Sequence, residues 1–410
     1  MLGLIGRSLI FLVWMQPTIA DGSTGLNSSM VDLVKQRLAE SAKLSWELGT
    51  RSQALIELDT ISFSVFNQRV PPSHSTPDSL SDVIGIARNI VENKQNGTLP
   101  LMEDGSAADP ASNGVGVLIA NWTGASGGNY AQAAADQLTF LLDFTPKTSS
   151  GAISHRVSEE QLWSDFIYMV PPFLAYYGVL TRNESLLLEA YNQIRIYRDE
   201  LADGTGMWQH VRHGSWEDKG HWSTGNGWAA MGMLRVMATI RGSEWANPMR
   251  GQVQNLETWV KDIHDAMWPY LTPEGWFYNY ADDSSTFPDA ASAALLAAST
   301  YRLSLLSGVH THLPHAERVH AALSVVGTSN SSRITPDGWL TPVVNPHSFG
   351  EAGSESAEAQ AFVLQMHAAW RDWVLDGSKG INNAMGRAHV EVGFGFLWTV
   401  GMITALVTMS

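Results

Sequence analysis

Between Met207 and Trp228 the chain reads MWQHVRHGSWEDKGHWSTGNGW, a stretch with four tryptophans, three histidines, an arginine and a lysine. Flat indole faces pack on the C–H faces of sugar rings, and neighbouring donors such as His210, Arg212 and His213 orient hydroxyls and carboxylates. A tight Gly225-Asn226-Gly227 corner leads into an apolar run, Ala229–Met237, that reads as a helix. Any one of these tryptophans also suits a core. Four in one polar, glycine-rich loop favour a binding surface.

The second candidate is Asp165. It falls in an apolar pattern, Ser158–Leu180, that reads as one helix with a Ser158/Gln161 capping box and a kink at Pro171-Pro172. On such a helix Asp165 shares a face with Leu162, Met169 and Pro172, and a carboxyl there holds its proton as a general acid must. The competing assignment is a solvated or capping aspartate. Just upstream, His155-Arg156 offer either a cation for a substrate carboxylate or an ordinary loop ion pair. Asp282-Asp283 suit a two-carboxylate glycosidase or a solvated turn. There is no cysteine, no G-x-S-x-G elbow and no zinc-type H-x-x-x-H spacing, so we expect no metal and no cofactor.

The elements that position these residues read as helical. Apolar residues recur at helical spacing over Val31–Leu48 and Gln53–Val65, a pair broken near Thr50, then over Ser81–Glu92, Gly114–Trp122, Gln132–Phe144 and Ser185–Leu201. The same spacing marks Trp228–Arg241, Val253–Tyr270, Asp289–Ser307, His315–Val326 and Ser356–Asp376. A turn-glycine-aromatic motif recurs at Gly206, Gly275 and Gly338, 69 and 63 residues apart, with one helical hairpin per interval. A hairpin cannot bury its apolar face alone, and this period divides the chain into six of them. The fold expected is all-α, an (α/α)6 barrel or six-hairpin toroid.

Of the 410 residues 44% are hydrophobic and 16% charged, with a net charge of -15 and no basic run, which excludes a nucleic-acid binder. Residues 1–20 read as a signal peptide: Arg7, an apolar Ser8–Met15 segment, Pro17, then Thr18-Ile19-Ala20 as cleavage site. Five N-x-S/T sequons, at Asn27, Asn96, Asn121, Asn183 and Asn330, fit a secreted, extracellular glycoprotein. Residues 21–376 form the expected catalytic domain. In the tail, 377–410, the uncharged run of 17 residues Gly393–Met409 fits a lipid-anchor signal with attachment near Ser378 or Asn382-Asn383-Ala384, giving membrane or cell-wall attachment, or else an ordinary last helix.

Two blocks, LWSDFIYMVPPFLAYYG (Leu162–Gly178) and HWSTGNGWAAMGML (His221–Leu234), resemble glycoside hydrolase family 105, the unsaturated rhamnogalacturonyl hydrolases, in a fungal-type form. These are relatives of the family 88 unsaturated glucuronyl hydrolases. Supporting blocks are SWELGTRSQALIEL (Ser45–Leu58), GMWQH (Gly206–His210), DAASAALLAASTYRL (Asp289–Leu303) and SESAEAQAFVLQMHAAWRDW (Ser354–Trp373). The resemblance implies an (α/α)6 barrel and substrates that are oligosaccharides ending in a 4,5-unsaturated uronic acid. It implies Asp165 as the catalytic acid that protonates C4 and helps deliver water to C5. It further implies that His210, Trp222, Asn226 and Trp228 bind or frame the sugar, with Trp46, Glu47, Asp109 and Asn113 at the rim. Bacterial members have Arg where this chain has Thr224, so His155, Arg156 or Arg212 would have to meet the substrate carboxylate. The rival expectations are a conventional glycosidase pairing Asp165 with Asp282, Asp283 or Asp289, a non-catalytic carbohydrate-binding protein, and a sugar epimerase.

Overall fold

A computed structural model describes residues 25–329 and 331–381. The signal-peptide reading of 1–20 lies outside them, as do Asn330 and most of the tail, 382–410, with its anchor reading. In chain order the helices are α1 (Ser28–Ser41), α2 (Ser45–Asp59), α3 (Ser81–Asn93), α4 (Gly114–Trp122), α5 (Tyr130–Thr139), α6 (Phe166–Met169) and α7 (Pro171–Thr181). They continue as α8 (Glu184–Leu201), α9 (Ser223–Arg241), α10 (Arg250–Met267), α11 (Ala290–Ser307), α12 (Leu313–Leu323) and α13 (Ala357–Leu375).

Helix packing closes a ring. α2, α4, α7, α9, α11 and α13 each pack on the next, and α13 returns to α2. Against this inner ring lie α1, α3, α5, α8, α10 and α12, so the architecture is an all-α (α/α)6 barrel of six hairpins. Sequence separates the two layers. On α10 the buried residues Val253, Leu256, Val260, Ile263 and Met267 recur every three or four positions, one stripe of an outer helix. On α9 and α11 nearly every residue is buried, because an inner helix touches protein all round.

The repeated glycine motif is one structural device used several times. Gly206, Gly275 and Gly338 have φ of 89°, 88° and 95°, and each amide bonds the carbonyl three residues back, on Asp203, Thr272 and Thr335. Gly151 (φ 90°), bonded to Thr148, is a fourth copy that lacks the following aromatic residue. Each turn carries the chain from an outer helix towards an inner one.

Several boundaries differ from expectation. α2 begins at Ser45 and runs through Thr50, because the Glu47 carboxylate accepts from the amides of Lys43 and Leu44 at 2.8 and 2.9 Å and starts a new helix there. The Ser158–Leu180 pattern is not one helix. Gln161–Trp163 form strand β1, antiparallel to β2 (Val211–His213) with Leu162 opposite Arg212. Asp165 then N-caps α6, and Pro171-Pro172 open α7 rather than kinking a longer helix. Gly225-Asn226-Gly227 is not a corner either but the first turn of α9. Glycine is needed there for close approach, since a Cβ on Gly225 would sit 2.3 Å from Ser164 Oγ. Two more ribbons, β3 (Phe277–Tyr278) with β4 (Pro288–Asp289) and β5 (Val343–Asn345) with β6 (Ser348–Gly353), complete the loops that precede α11 and α13.

Candidate active site

The inner helices present their N-terminal ends to one another. Glu47 lies in the first turn of α2, Asp109 in the 3-10 turn before α4, and Glu358 in the first turn of α13, while Asp165 caps α6 and Asp289 caps α11. Their carboxyls are close enough to act on one another. Glu358 is buried, and its acidity is weakened by burial first and then by Glu47, Asp165, Asp289 and Asp109. Helix N-termini tolerate such a gathering because their free amides and dipoles favour negative charge.

Asp165 is enclosed but keeps 14% of its side chain open. Burial raises its pKa above the ordinary aspartate value, against the opposing pull of His210 and a hydrogen bond from Ser164 Oγ at 3.2 Å. Ser164 N in turn donates to His210 O at 2.9 Å, so the strand pairing that replaced the expected helix fixes Asp165 beside His210. His210 Nε2 faces Asp165 Oδ2 at 4.0 Å and has no hydrogen-bond partner among the described residues. Its Nδ1 meets Asp218 at 2.9 Å, and Asp218 also accepts from Tyr280 Oη at 2.5 Å.

A second carboxyl stands close by. Asp109 also keeps 14% of its side chain open, and its pKa is pushed well up by burial, then by Asp104 and Asp165. His155 Nε2 lies 3.5 Å from Asp109 Oδ1. His155 is itself held neutral, its pKa lowered to about 3 by burial and by Arg156 and His210, so this contact is not an ion pair. The Ala107 amide donates to His155 O at 2.7 Å and keeps the Asp109 loop against it.

Aromatic rings wall the space. His155 stacks on Trp163 at 5.0 Å, and His210 meets Trp163 edge-on at 5.3 Å, Trp222 at 4.5 Å and Phe349 at 4.5 Å. Asn279 ties two walls together, accepting from Trp222 Nε1 at 3.0 Å and donating to Phe349 O at 2.8 Å. At the rim, Trp46 meets His347 of the β5–β6 hairpin at 6.2 Å.

The other expected site residues lie elsewhere or act from behind. Trp228 is 1% exposed and packs on Tyr168 and Phe362, so it is core and offers no face to a sugar. Asn226, also buried, clips the backbones of Trp208 and Trp222 together. Thr224 donates to Asp289 Oδ2 at 2.9 Å and is covered. Asn113 is buried with its amide on Ser45 O at 2.8 Å. Arg212 turns to Glu217 and Gln209 at 3.1 and 3.0 Å, and His213 to Glu200 at 3.1 Å. Arg156 differs: its guanidinium lies over the Trp163 ring at 5.9 Å, with no described carboxylate in ion-pair reach.

The three partners expected of a conventional glycosidase are committed to other bonds. Asp289 accepts from the amides of Ala291, Ser292 and Val344 as well as from Thr224. Asp282 holds His221 Nδ1 at 2.7 Å, and Asp283 closes its own exposed turn with Ser285. Sequence reasoning missed Trp163, Asp218, Asn279, Tyr280, Phe349 and Glu358. For Trp163 a signal existed, since it stands two positions before Asp165 and alternation would have brought a strand to mind. Phe349 had none, because its hairpin carries no recognisable chemistry.

Comparison with known proteins agrees with this fold. The chain is similar to the unsaturated rhamnogalacturonyl hydrolase YesR of Bacillus subtilis (strain 168), 22% identical over 182 residues, 41% of this chain and 50% of the relative. It thus spans about half the length of that relative. A structure described as a possible member of family 105 from Klebsiella pneumoniae superposes with a TM-score of 0.67 at 17% identity, covering 90% of this chain and 100% of the other. The unsaturated glucuronyl hydrolase of Bacillus sp. GL1 gives 0.57 at 13%, covering 83% and 94%. Both likenesses speak for the fold. The model for Glycosyl Hydrolase Family 88 matches residues 76–351, from the segment leading into α3 to the hairpin that carries Phe349, and the chain belongs to that family.

Proposed function

We propose that this protein is a secreted hydrolase that removes a 4,5-unsaturated uronic acid from the non-reducing end of lyase-generated, pectin-type oligosaccharides, rhamnogalacturonan fragments in particular. The observation that carries the reading is Asp165: a carboxyl whose pKa is raised by burial, partly open beside a wall of aromatic rings, with the expected second carboxylates bound elsewhere. Asp165 donates its proton to C4 of the vinyl ether, leaving positive charge on C5 and the ring oxygen. Water then adds to C5 and returns a proton to the Asp165 carboxylate. The hemiketal opens by breaking the bond between C5 and the ring oxygen, and the hemiacetal left at C1 expels the aglycone as an alcohol. Burial, then Asp104 and Asp165, oppose the charge on Asp109, against the pull of Ser106 and Arg156, so it is poorly suited to act as a nucleophile.

In this reading Arg156 meets the uronate carboxylate. Arg212 is engaged with Glu217, and His155 is neutral, which leaves Arg156 as the cation beside Trp163. Exposure of the sequon residues Asn27, Asn96, Asn121 and Asn183 supports passage through a secretory route. The test is the ultraviolet absorbance of the conjugated uronate. Wild type is expected to abolish it on unsaturated rhamnogalacturonan fragments, and Asp165→Asn to leave it intact. Release of reducing ends from saturated glycans with the absorbance unchanged would overturn the proposal.

A further inference from the structure

We infer that a cleft on the outer wall of the barrel, between α8 and α10, is a second carbohydrate site that holds a neutral sugar by its vicinal hydroxyls. Its volume is about 390 Å³, within the range of small-molecule sites. It lies between two outer helices, and none of the rings and carboxyls described around Asp165 lines it. The site is therefore separate from whatever reaction Asp165 performs.

Both walls are held in place. Trp259 of α10 lies nearly parallel to Tyr191 of α8, 17° off at 5.5 Å, and Tyr191 Oη accepts from Asn255 Nδ2 at 2.7 Å. The other wall is the Asp203–Gly206 turn, closed by Thr205, which donates to Asp203 Oδ1 from N at 2.8 Å and from Oγ1 at 2.6 Å. This turn passes close to α10: a Cβ on Gly206 would lie 3.3 Å from Ala266 Cβ and from Asp262 O.

Between these walls two opposite charges stand apart. Arg198 carries its guanidinium over Trp259, 5.3 Å from the ring centroid, and lies 3.8 Å from both Asp199 Oδ1 and Asp262 Oδ2. Charges attract at that distance, but no hydrogen bond forms. The Arg198 guanidinium and the Asp262 carboxylate have no hydrogen-bond partner among the described residues. A hydroxyl accepts from one such group and donates to the other. Two neighbouring hydroxyls of a sugar thus bridge Arg198 and Asp262, with the C–H groups of the ring against the indole.

Charge selects the occupant. Arg198 is the one cation among the described residues that line the cleft, and it already stands between two carboxylates. A uronate would find no spare positive charge there. Asp203 and Asp265 are engaged by His221 and His312 at 2.8 and 2.6 Å, so a cationic amine would be left beside Arg198. A neutral sugar meets neither obstacle.

The experiment is titration calorimetry of the whole protein with galactotetraose, trigalacturonate and spermidine, beside turnover of an unsaturated disaccharide. Wild type is expected to bind galactotetraose more tightly than the other two. Arg198→Met keeps the aliphatic stem over Trp259 and removes the donors, and should weaken galactotetraose about tenfold, as should Asp262→Ala. Turnover of the disaccharide should be the same in wild type and both variants. No binding of galactotetraose, or binding that both variants retain, overturns the site. Tighter binding of trigalacturonate overturns its neutral character. Spermidine binding that strengthens in Arg198→Met makes the cleft a cation site and overturns the proposal as well. Slower turnover in the two variants would join the cleft to the space at Asp165 and overturn its separateness. Absence of turnover in wild type counts against the proposed reaction alone, while the binding series still decides the cleft.

Discussion

His210 Nδ1 lies 2.9 Å from Asp218 Oδ2. An ionised carboxylate only accepts, so the proton sits on Nδ1 and the opposite nitrogen presents itself to Asp165. Burial disfavours the charge on Asp218, but hydrogen bonds from His210 and Tyr280 outweigh it and hold its pKa below the ordinary value. Asp218→Asn supplies an amide that donates as well as accepts and no longer fixes the tautomer. We predict that kcat falls about 10- to 100-fold, part of what positioned proton transfer contributes, with KM nearly unchanged. A rise in KM at constant kcat would instead make Asp218 part of the binding surface.

Arg156→Ala should raise KM for the unsaturated uronide about 10- to 100-fold, since a charge-assisted hydrogen bond to the uronate is lost. Arg156→Lys keeps the charge without the bidentate fork and should recover part of it. An unchanged KM would return the carboxylate contact to another residue.

Glu358 gives a stability prediction with a definite sign. Its folded pKa is raised well above the ordinary glutamate value by burial and neighbouring carboxyls. Its contribution is therefore full at acidic pH, below the unfolded value, and is lost as pH rises through the folded one. Glu358→Gln removes the titration while keeping the shape. Melting temperatures of variant and wild type should coincide in acid and separate in favour of the variant as pH rises. A constant offset across the series would contradict this account.

The imidazole of His221 is clamped between Asp203 at 2.8 Å and Asp282 at 2.7 Å. Burial opposes its charge, yet the two carboxylates prevail and raise its pKa. The clamp is at full strength below the ordinary histidine range and weakens as pH rises through the raised folded value. His221→Asn is predicted to cost about 1–2 kcal/mol at about pH 5, a range that allows for the exposure of Asp282, and less in alkali. Denaturant unfolding at the two pH values measures the difference.

Much of the architecture was legible because its cause is local. A dozen stretches of helical period with a recurring turn glycine imply stacked hairpins, and Gly206, Gly275 and Gly338 adopt the positive φ that their turns require. A raised pKa at Asp165 was legible, but for a different reason than its environment provides. An apolar face on a long helix was expected, whereas a strand ending at Trp163 and pairing with Val211 sets the carboxyl beside His210. Strand pairing across fifty residues leaves little trace in a three-residue segment. The same holds for Asp109 beside His155 and for Asn279 between Trp222 and Phe349, contacts made by separate hairpins. The tryptophan-rich loop divides between site and core. Trp222 walls the site and Trp216 stands at its edge, while Trp208 and Trp228 fill the core, and single-residue chemistry does not tell these apart.

Because α13 closes against α2, synthesis has a particular order of events. A ribosome delivers the first five hairpins as an open arc whose two exposed flanks are apolar, and only the last helix seals them. Glu358, from the end of the barrel, joins Glu47 and Asp165 only when α13 is in place. Closure of the ring is thus the final event of assembly, so a chain cut short before α13 has no sealed core.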